Sequence, residues 1–410
     1  MLSVDEALQH VLAQARCRPA ADCPIRDALG LVLAEDVTSD VDSPPHDKSV
    51  VDGYAVMAAD LADGQADFDV LEEVTAGAVP HRAVTRGTSV LVMTGAPIPD
   101  GADAVVMIEQ AEPIDGRGQG GRVRLRVQRV AAGQNIMRRA ASMARGDRVL
   151  SVGHELRAIE IGMLAEVGRA HVRAVPRPTL AVLATGNELV PVSVVPEAGQ
   201  IRNSNGPMLA AAARSAGAIG IDLGIARDEP QELTKTIAYG LTFDVLVVSG
   251  GVSAGVLDLV PGVLESLGVR QVFHKVSIKP GKPLWFGVLA GESDDRLVFG
   301  LPGNPVSSLV GFELFVRPAI ARLAGRATGA LEETSAKLAV EHAHRGNRPT
   351  YHPARLAIVD GQPTVEPVGW QGSGDLTALA CANALACFPA GDRTYPAGET
   401  IRVLRLPNVT

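Results

Sequence analysis

The sequence is poor in residue types that mark several classes of protein. Only 3% of its 410 residues are aromatic, and only four are cysteine. The cysteines form two pairs, Cys17 with Cys23 and Cys381 with Cys387, whose spacing is wider than that of zinc or redox motifs. We therefore expect ordinary reduced thiols without a metal-binding or catalytic role.

Long basic runs and long apolar runs are missing as well. The formal net charge is -8 and no Lys/Arg stripe interrupts it, which argues against a general nucleic-acid binder. No apolar run approaches the ~18 residues that a membrane-spanning helix needs. The first residues, Met-Leu-Ser-Val-Asp-Glu, lack the basic start and apolar stretch of a secretion signal. We expect a cytoplasmic protein that binds neither nucleic acid nor membrane and holds anions in a local pocket.

The length and the changes of character along the chain predict several domains of α/β and β type. At 410 residues the chain is too long for one ordinary core. Hydrophobic residues make up 46%, and 43 Gly with 27 Pro predict many short elements and turns. The predicted domains are an N-terminal helical and extended domain (1–39 and 146–177), a β-rich inserted domain (40–145), a doubly wound α/β domain of nucleotide-binding type (178–326) and a C-terminal β-barrel (330–410).

The N-terminal part contains two predicted helices, followed by short strands. Apolar residues from Val4 to Leu12 recur at helical spacing, so we expect a helix over residues 1–20. A second short helix is expected over residues 26–36. Beyond residue 40, short β-like runs alternate with Gly/Pro turns, and residues 116–121 are a predicted hairpin tip.

Residues 178–326 alternate between strand-like and helix-like segments. Buried strands are expected at 179–184, 244–248 and 297–301, each followed by a loop that contains glycine. This alternation predicts a parallel sheet covered by helices on both faces. Ligands of such sheets bind at the carboxyl ends of the strands, where these loops lie.

Two of the loops suit an anion. Asn304 is a good helix N-cap and Pro305 suits the first helical position, so N–H groups of the first turn would face an anion. A capped helix without a ligand is the alternative. Lys275 and Lys279 are an even number of residues apart on the predicted strand 272–278, so they would share a face near the sheet end. The alternative is a turn with surface lysines.

Acidic and hydroxyl side chains occupy other loops. Glu188 follows the first strand of the α/β region, Asp228 follows the second, and Asp258 lies past the loop at 249–255. Three acids on neighbouring loops suit Mg²⁺, although each could be a plain cap. In the β-rich region Asp52 precedes a glycine and Thr94 stands near a strand end. A hairpin turn and a plain strand end are the alternatives there.

Eight short motifs run in order along nearly the whole chain. They are Asp-Gly-Tyr-Ala (52–55), Met-Thr-Gly-Ala-Pro (93–97), Gly-Gln-Asn-Ile (133–136), Thr-Gly-Asn-Glu-Leu (185–189), Ser-Gly-Gly-Val-Ser (249–253), Lys-Pro-Gly-Lys-Pro (279–283), Leu-Pro-Gly-Asn-Pro (301–305) and Gln-Gly-Ser-Gly (371–374). Each motif alone is common, but the ordered series is highly specific. The series resembles the molybdopterin molybdenumtransferase family, the MoeA type that includes the gephyrin E domain.

The resemblance implies an enzyme that inserts molybdate into adenylylated molybdopterin and releases AMP. It implies a four-part subunit, an elongated homodimer with the site at the subunit interface, a molybdopterin-binding domain at 178–326, and Mg²⁺ as cofactor. An adenylyltransferase that supplies the substrate and molybdoenzymes that accept the product would be partners. The catalytic positions implied are Asp52, Thr94, Glu188, Asp228 and Asp258, of which Glu188, Asp228 and Asp258 would hold the metal. The substrate-binding positions implied are Ser249, Gly250, Gly251, Ser253, Lys275, Lys279, Pro302, Gly303, Asn304, Pro305, Ser373, Arg138 and Arg348.

Some positions differ from the usual pattern of the family, and two other functions stay open. Ser142 and Val256 each stand where the family usually has an acid, and Asn187 replaces the aspartate of Thr-Gly-Asp-Glu. Loss of a positioned acid can cost ~10²–10⁴ in rate. A catalytically impaired molybdopterin-binding or scaffold protein is therefore one alternative. A molybdopterin adenylyltransferase is the other, because the α/β region resembles that family too, although the β-rich insert and the barrel argue against it.

Overall fold

The structure is a computed structural model that describes residues 1–252, 259–291 and 294–407.

The chain begins with a helix whose first turn is capped by residues of the same segment. The Glu6 backbone nitrogen donates to the Ser3 hydroxyl at 3.2 Å, and the Ser3 nitrogen donates to the Glu6 carboxylate at 2.8 Å, which forms a capping box. The predicted N-terminal helix is confirmed but ends at Gln14. The first elements are α1 (Val4–Gln14), β1 (Ala21–Pro24), β2 (Val32–Leu33) and β3 (Val37–Thr38).

The second predicted helix, over residues 26–36, is wrong. The segment forms one 3-10 turn, Ile25–Asp27, and then the buried strand β2. Gly30 takes a left-handed conformation with φ +76°, which stops any helix there. A run of consecutive apolar residues such as 31–34 suits a buried strand as well as a helix, and periodicity alone does not separate the two.

The next region is a six-stranded sheet, as the predicted β-rich character requires. Its strand order is β8-β5-β7-β6-β10-β9. The predicted hairpin tip at 116–121 is confirmed, because it joins the antiparallel pair β9 and β10. A Cβ on Gly53 would lie 2.0 Å from the Val106 carbonyl oxygen, so only glycine allows β5 and β8 to pair this closely. The six strands are β5 (Gly53–Val56), β6 (Gln65–Val74), β7 (Thr88–Val92), β8 (Ala104–Met107), β9 (Ala111–Pro113) and β10 (Arg122–Arg126). A separate two-stranded sheet is formed by β4 (Lys48–Ser49) and β11 (Ile136–Met137).

After the β-rich sheet the chain returns to the N-terminal segments. The new elements are β12 (Arg148–Leu150), α2 (Ala158–Glu166) and β13 (His171–Val175). Strand β13 lies between β1 and β2, and β12 pairs with β3. Leu33 from the first part and Leu164 and Val172 from the second share one buried cluster. Hydrophobic packing therefore unites segments that the β-rich sheet separates in sequence.

The α/β region contains a six-stranded sheet of order β17-β14-β18-β21-β20-β19. Leu180 and Val182 pack in one buried cluster, while Ala181 and Leu183 pack in another on the opposite face. Both faces are therefore covered, as predicted. The six strands are β14 (Thr179–Thr185), β17 (Ile219–Ala226), β18 (Val245–Ser249), β19 (Arg270–His274), β20 (Trp285–Leu289) and β21 (Arg296–Leu301). A separate two-stranded sheet is formed by β15 (Leu189–Val190) and β16 (Ile201–Arg202). The helices are α3 (Asn205–Ser215), α4 (Pro230–Gly240), α5 (Val260–Ser266), α6 (Pro305–Gly311) and α7 (Arg317–Leu323), with a π-helical segment, Phe312–Val316, between the last two.

The expectation of an all-parallel sheet is wrong at one edge. Strands β17, β14, β18 and β21 are paired in parallel, whereas β20 is antiparallel to both of its neighbours, β21 and β19. The predicted strand 272–278 is also wrong at its end. Strand β19 stops at His274, and Lys275 has a left-handed φ of +74°. Lys275 and Lys279 therefore do not share a strand face.

The C-terminal region is a closed five-stranded barrel, as predicted. Its order is β22-β25-β24-β26-β28, and β23 pairs with β27 beside it. Tyr351, Leu385 and Leu404 of the barrel join the same buried cluster as α1 and the α/β sheet. The elements are β22 (Glu333–Leu338), β23 (His342–His344), β24 (Thr350–Val359), β25 (Gln362–Pro367), α8 (Leu376–Ala380), β26 (Ala384–Phe388), β27 (Arg393–Tyr395) and β28 (Thr400–Arg405).

The multidomain α/β and β fold class is thus as predicted, while the exact domain bounds stay a prediction. The buried face of α1 belongs to the α/β core, although its sequence lies within the predicted first domain. Among the described residues, no helix has the length and apolar character needed to cross a membrane.

Candidate functional site

A cavity of about 600 Å³ opens at the carboxyl edge of the α/β sheet. Its walls come from the loops after β14, β17, β18 and β21, which is the edge where the sequence predicted a ligand. The predicted site residues that line it are Glu188, Asp228, Ser249, Gly250, Gly251, Gly303, Asn304 and Pro305. A second cavity of about 600 Å³ lies beside Arg317 and the barrel, and none of the predicted site residues lines it.

Two carboxylates face the cavity from neighbouring strands. Glu188 follows β14 and Asp228 follows β17, which are paired in parallel. The backbone nitrogen of Asp228 donates to the Asn187 side-chain oxygen at 3.2 Å, so the asparagine of Thr-Gly-Asn-Glu ties the two loops together. Within the described residues, no group of three His, Cys, Asp or Glu side chains is placed to hold a metal ion. Asp258 and Ser253 lie outside the described residues.

The glycine loop after β18 lies directly against the end of β14. Gly250 has φ +100°, and a Cβ there would lie 2.4 Å from the Thr185 carbonyl oxygen. A side chain at this position would therefore force the two loops apart. Close backbone packing keeps Ser249 and Gly251 on the cavity wall.

Asn304 does not act as the sequence predicted. It occupies the N-cap position of α6, but its side chain makes no cap hydrogen bond. Its amide instead donates to the Ser373 hydroxyl at 2.9 Å, and the Val306 nitrogen donates to the Ser373 carbonyl oxygen at 3.0 Å. The side chain of Asn304 thus bonds to a residue that is distant in sequence instead of to the first turn of its own helix. Gly374, the residue after Ser373, lines the cavity. The structure thus brings Ser373 against the loop that contains Asn304, while its substrate-binding role stays a prediction.

The basic residues lie on the adjoining part of the same edge. Strand β19 runs parallel to β21, because both are antiparallel to β20, so Lys275 follows a carboxyl end. The next-door His274 ring nitrogen lies 3.1 Å from the Val252 carbonyl oxygen. The Lys279 backbone N–H donates a hydrogen bond to the Pro349 carbonyl oxygen at 2.9 Å, and the Arg348 guanidinium donates to the Ile278 carbonyl oxygen at 2.7 Å.

Pro302 precedes the cavity-lining Gly303 and contributes through its backbone. The buried hydroxyl of Ser308 donates a hydrogen bond to the Pro302 carbonyl oxygen. This contact fastens the loop after β21 to the first turns of α6. Gly303 thus lines the cavity with Pro302 directly before it, and the substrate-binding role of both residues stays a prediction.

Asp52, Thr94 and Arg138 belong to the β-rich region, and none of the described residues that line the cavity comes from that region. Thr94 donates to Asp52 from its backbone nitrogen at 2.6 Å and from its hydroxyl at 2.7 Å. These bonds, the backbone one foremost, lower the pKa of the Asp52 carboxyl. Arg138 pairs with Asp47 at 2.5 Å. The Asp52–Gly53 pair is no hairpin turn, since β5 pairs with β7 and β8 instead.

Two buried asparagines of the cavity wall were not among the predicted site residues. Asn203 and Asn205 are 6% and 7% exposed, and both line the cavity. The Asn203 side-chain oxygen accepts a hydrogen bond from the Gly206 nitrogen at 2.9 Å, which gives one N–H group of the first turn of α3 a partner. The signal in the sequence was the polar run Arg-Asn-Ser-Asn (202–205) directly before an apolar helix. Such a run is typical of a helix start, so its position at the sheet edge was needed to single it out.

Three family descriptions match the chain in succession. Residues 2–168 match the MoeA N-terminal region (domain I and II), residues 181–322 match a probable molybdopterin binding domain, and residues 335–406 match the MoeA C-terminal region (domain IV). Together they follow the order that the eight motifs predicted.

Relatives and solved structures of similar length agree. A molybdopterin molybdenumtransferase of Bacillus subtilis (strain 168) is 35% identical over 414 residues, which cover 98% of this chain and 94% of the relative. One of Staphylococcus aureus (strain MRSA252) is 33% identical over 412 residues, covering 98% and 95%. The crystal structure of a molybdopterin biosynthesis MoeA protein from Pyrococcus horikosii superposes with a TM-score of 0.82 and 30% identity over 100% of both chains. The chain described here belongs to the molybdopterin molybdenumtransferase family.

Proposed function

We propose that this chain inserts molybdate into adenylylated molybdopterin and releases AMP. The observation that carries the proposal is the cavity at the carboxyl edge of the α/β sheet. Two carboxylates, Glu188 and Asp228, and two glycine-containing loops, 249–251 and 303–305, line it together. Carboxylates beside backbone loops suit a phosphate-bearing ligand with a divalent cation. Membership of the family adds independent support.

Mg²⁺ is the proposed cofactor, and the donors fit it. Mg²⁺ prefers oxygen ligands and is usually held by one or two carboxylates together with phosphate oxygens. Glu188 and Asp228 supply two carboxylates from paired strands. Bound there, the cation would neutralise charge on the phosphoanhydride oxygens. Asp258 stays a predicted third ligand.

The chain's own residues would bind and orient the substrate. The loops at 249–251 and 303–305 would hold phosphate oxygens through backbone N–H groups. Lys275 and Lys279 would add positive charge on the adjoining edge of the sheet. Water would then cleave the phosphoanhydride, which gives AMP and molybdopterin. The two sulfurs of molybdopterin would bond to molybdenum in place of one molybdate oxygen, which would leave as water with the two thiol protons.

A homodimer is part of the proposal, because two predicted halves of the site lie in different regions of one chain. Asp52 and Thr94 lie in the β-rich sheet, whereas the carboxylates Glu188 and Asp228 line the α/β cavity. A second copy would supply the first pair to the cavity. The adenylyltransferase that makes the substrate, the molybdoenzymes that accept the product, and a cytoplasmic location are proposed with it.

The deciding experiment is a turnover assay. Purified protein is incubated with adenylylated molybdopterin, Mg²⁺ and molybdate, and AMP is measured beside a known active family member. The proposal expects AMP release that depends on Mg²⁺ and on Glu188. If AMP is absent while the reference enzyme is active, the proposal fails. Substrate binding without AMP release would favour the scaffold alternative, and ATP-dependent adenylylation would favour the adenylyltransferase.

A mixing experiment tests the dimer. Asp52→Ala and Glu188→Ala proteins are each assayed alone and after unfolding and joint refolding. If two copies build one site, mixed dimers carry one intact site, so activity returns to about a quarter of the wild-type level by random pairing. Mixtures no more active than the separate variants would contradict the proposal.

A further inference from the structure

One buried amide connects three loops of the cavity wall. Asn205 is the first residue of α3 and is 7% exposed. Its side-chain nitrogen donates to the Ser249 hydroxyl at 2.8 Å and to the Gly303 carbonyl oxygen at 2.7 Å. Ser249 ends β18, and Gly303 lies in the loop between β21 and α6. The start of α3 is therefore tied to the two loops that are proposed to bind phosphate.

The orientation of this amide is fixed by its partners. The Gly303 carbonyl oxygen can only accept a hydrogen bond, so the nitrogen of Asn205 must face it. A flipped amide would place two acceptor oxygens against each other. Both hydrogens of the Asn205 nitrogen are thus committed, and no alternative orientation keeps the contact with Gly303.

The oxygen of the same amide is unpaired. The Asn205 side-chain oxygen is buried, with less than 1 Å² accessible, and it has no hydrogen-bond partner. The only other residue that both lines this cavity and has an unpaired buried side-chain atom, within the part of the chain that the structure describes, is Thr185. Leaving a buried acceptor unpaired costs stability. At this position of the cavity wall, the unpaired oxygen accompanies the two hydrogen bonds that the Asn205 nitrogen donates to Ser249 and Gly303.

We infer that Asn205 is a positioning residue, whose amide sets the places of the Ser249 and Gly303 loops for substrate binding. The inference deepens the proposed function and rests on it. Removing the amide frees both loops, so the phosphate-binding geometry loosens, while Glu188 and Asp228, to which the Asn205 amide makes no hydrogen bond, stay in place. A change of this kind weakens binding of the phosphate-bearing ligand more than it slows turnover.

The first test compares Asn205→Ala with a matched control, Asn383→Ala. Asn383 also makes two amide hydrogen bonds, to the nitrogen and the oxygen of Leu356, but it lies in the barrel. Both variants lose two hydrogen bonds, so both should melt at a lower temperature. Only Asn205→Ala should raise the Kd for AMP, by about tenfold or more, and raise KM more than it lowers kcat. Equal AMP affinity in the two folded variants would overturn the inference.

The second test uses Asn205→Asp, which keeps the shape but removes the donors. At neutral pH a carboxylate oxygen would face the Gly303 carbonyl oxygen, so affinity for AMP should fall at least as far as in Asn205→Ala. Protonation of the introduced carboxylate restores an O–H donor. As the pH is lowered from about 8 to about 6, the affinity of Asn205→Asp for AMP should therefore rise relative to that of wild type. Asn205→Ala should show no such recovery. A tolerant, pH-independent Asn205→Asp protein would contradict the inference.

A third readout separates this inference from the proposed function. Amide hydrogen exchange is compared for wild type, Asn205→Ala and Asn383→Ala without any ligand. Faster exchange at 248–252 and 300–306 in Asn205→Ala alone supports the positioning role, even if the wild-type protein were to release no AMP. Unchanged exchange in those segments overturns it, whatever the activity of the wild type.

Discussion

Thr94 donates two hydrogen bonds to one carboxylate oxygen of Asp52, from its backbone nitrogen at 2.6 Å and from its hydroxyl at 2.7 Å. The two residues are 42 positions apart, and β5 and β7, which follow and precede them, are neighbours in one sheet. The carboxylate is exposed, so these bonds and not burial hold its pKa below the usual value. Asp52 is therefore kept ionised at a defined place on the β-rich surface.

Replacing Thr94 by Val removes only the hydroxyl bond. The pKa of Asp52 should rise part of the way towards its ordinary value, because the backbone bond, the larger cause, remains. A carboxyl group whose pKa is lowered by folding stabilises the folded state at pH values above its unfolded-state pKa. This stabilisation is lost as the pH falls through the lowered, folded-state pKa. The acid limb of kcat/KM should shift to higher pH. Carboxyl NMR titration measures the pKa, and Thr94→Ser, which keeps the hydroxyl, should match wild type.

Neutral isosteres of the cavity carboxylates test their part in metal binding. Glu188→Gln and Asp228→Asn should each lower kcat/KM by about 10²–10⁴, as loss of a positioned charged group does. The Mg²⁺ concentration for half-maximal activity should rise in both. Initial rates over a Mg²⁺ series give both quantities. Glu197→Gln, a change of an exposed carboxylate outside the cavity wall, should leave them unaltered, and equal behaviour of all three variants would refute the assignment.

A half-buried histidine of the barrel should make stability depend on pH. Burial, above all, lowers the pKa of His352 from 6.5 to about 4, and nearby His342 and Lys279 act in the same direction. The ring packs edge-on against Trp370, with centroids 4.9 Å apart. Between pH 6.5 and about 4 this histidine is protonated in the unfolded chain but neutral in the folded chain. The free energy of unfolding therefore decreases as the pH falls through this range, by on the order of 3 kcal/mol in all.

The measurement is chemical denaturation of wild type and of His352→Gln at several pH values. The variant should lose most of the slope below pH 6.5. A smaller slope of the same sign should remain, because burial also lowers the pKa of His342. An unchanged slope in His352→Gln would show that this histidine is not its source.

Two glycine-to-alanine changes should have opposite effects. A Cβ on Gly53 would meet the Val106 carbonyl oxygen at 2.0 Å, so Gly53→Ala must separate β5 from β8 and should cost about 1–3 kcal/mol or more. Gly162, in the exposed part of α2, has no atom within 4 Å of such a Cβ. Gly162→Ala should stabilise the protein by about 0.5–1 kcal/mol. Thermal unfolding measures both, and a neutral Gly53→Ala would contradict the strand contact.

The acids and glycine loops of the α/β region could be placed from the sequence because their positions follow from strand order. Glu188 and Asp228 follow strands of a sheet whose carboxyl ends meet at one edge, so their proximity needed no knowledge of distant contacts. The lysines were harder to place. The predicted strand carried on to residue 278, whereas Lys275 turns with a positive φ and Lys279 lies against Pro349 of the C-terminal region. The pattern of residues around Lys279 does not indicate a hydrogen-bond partner as distant in sequence as Pro349.

Asn304 and Asn205 show the same limit at the level of single side chains. Both are residues that commonly cap helices, and local preference predicts a bond to the backbone of their own helix. Asn304 instead donates to Ser373, 69 residues away, and Asn205 to Ser249 and Gly303, 44 and 98 residues away. The choice between local and distant partners depends on which polar atoms folding leaves buried nearby.

The order of eight motifs, the alternation of strands with helices and the absence of basic or apolar runs determined the family and the fold class from sequence alone, because these features depend on neighbours along the chain. Only the tertiary structure decided which atoms meet. In the folded chain α1 packs on the α/β core, and β20 runs antiparallel to its neighbours. Asp52 does not line the cavity, and the Asn205 amide is hydrogen-bonded to two loops that are distant in sequence. Burial and hydrogen-bond satisfaction are properties of the whole fold, so no local pattern could state them.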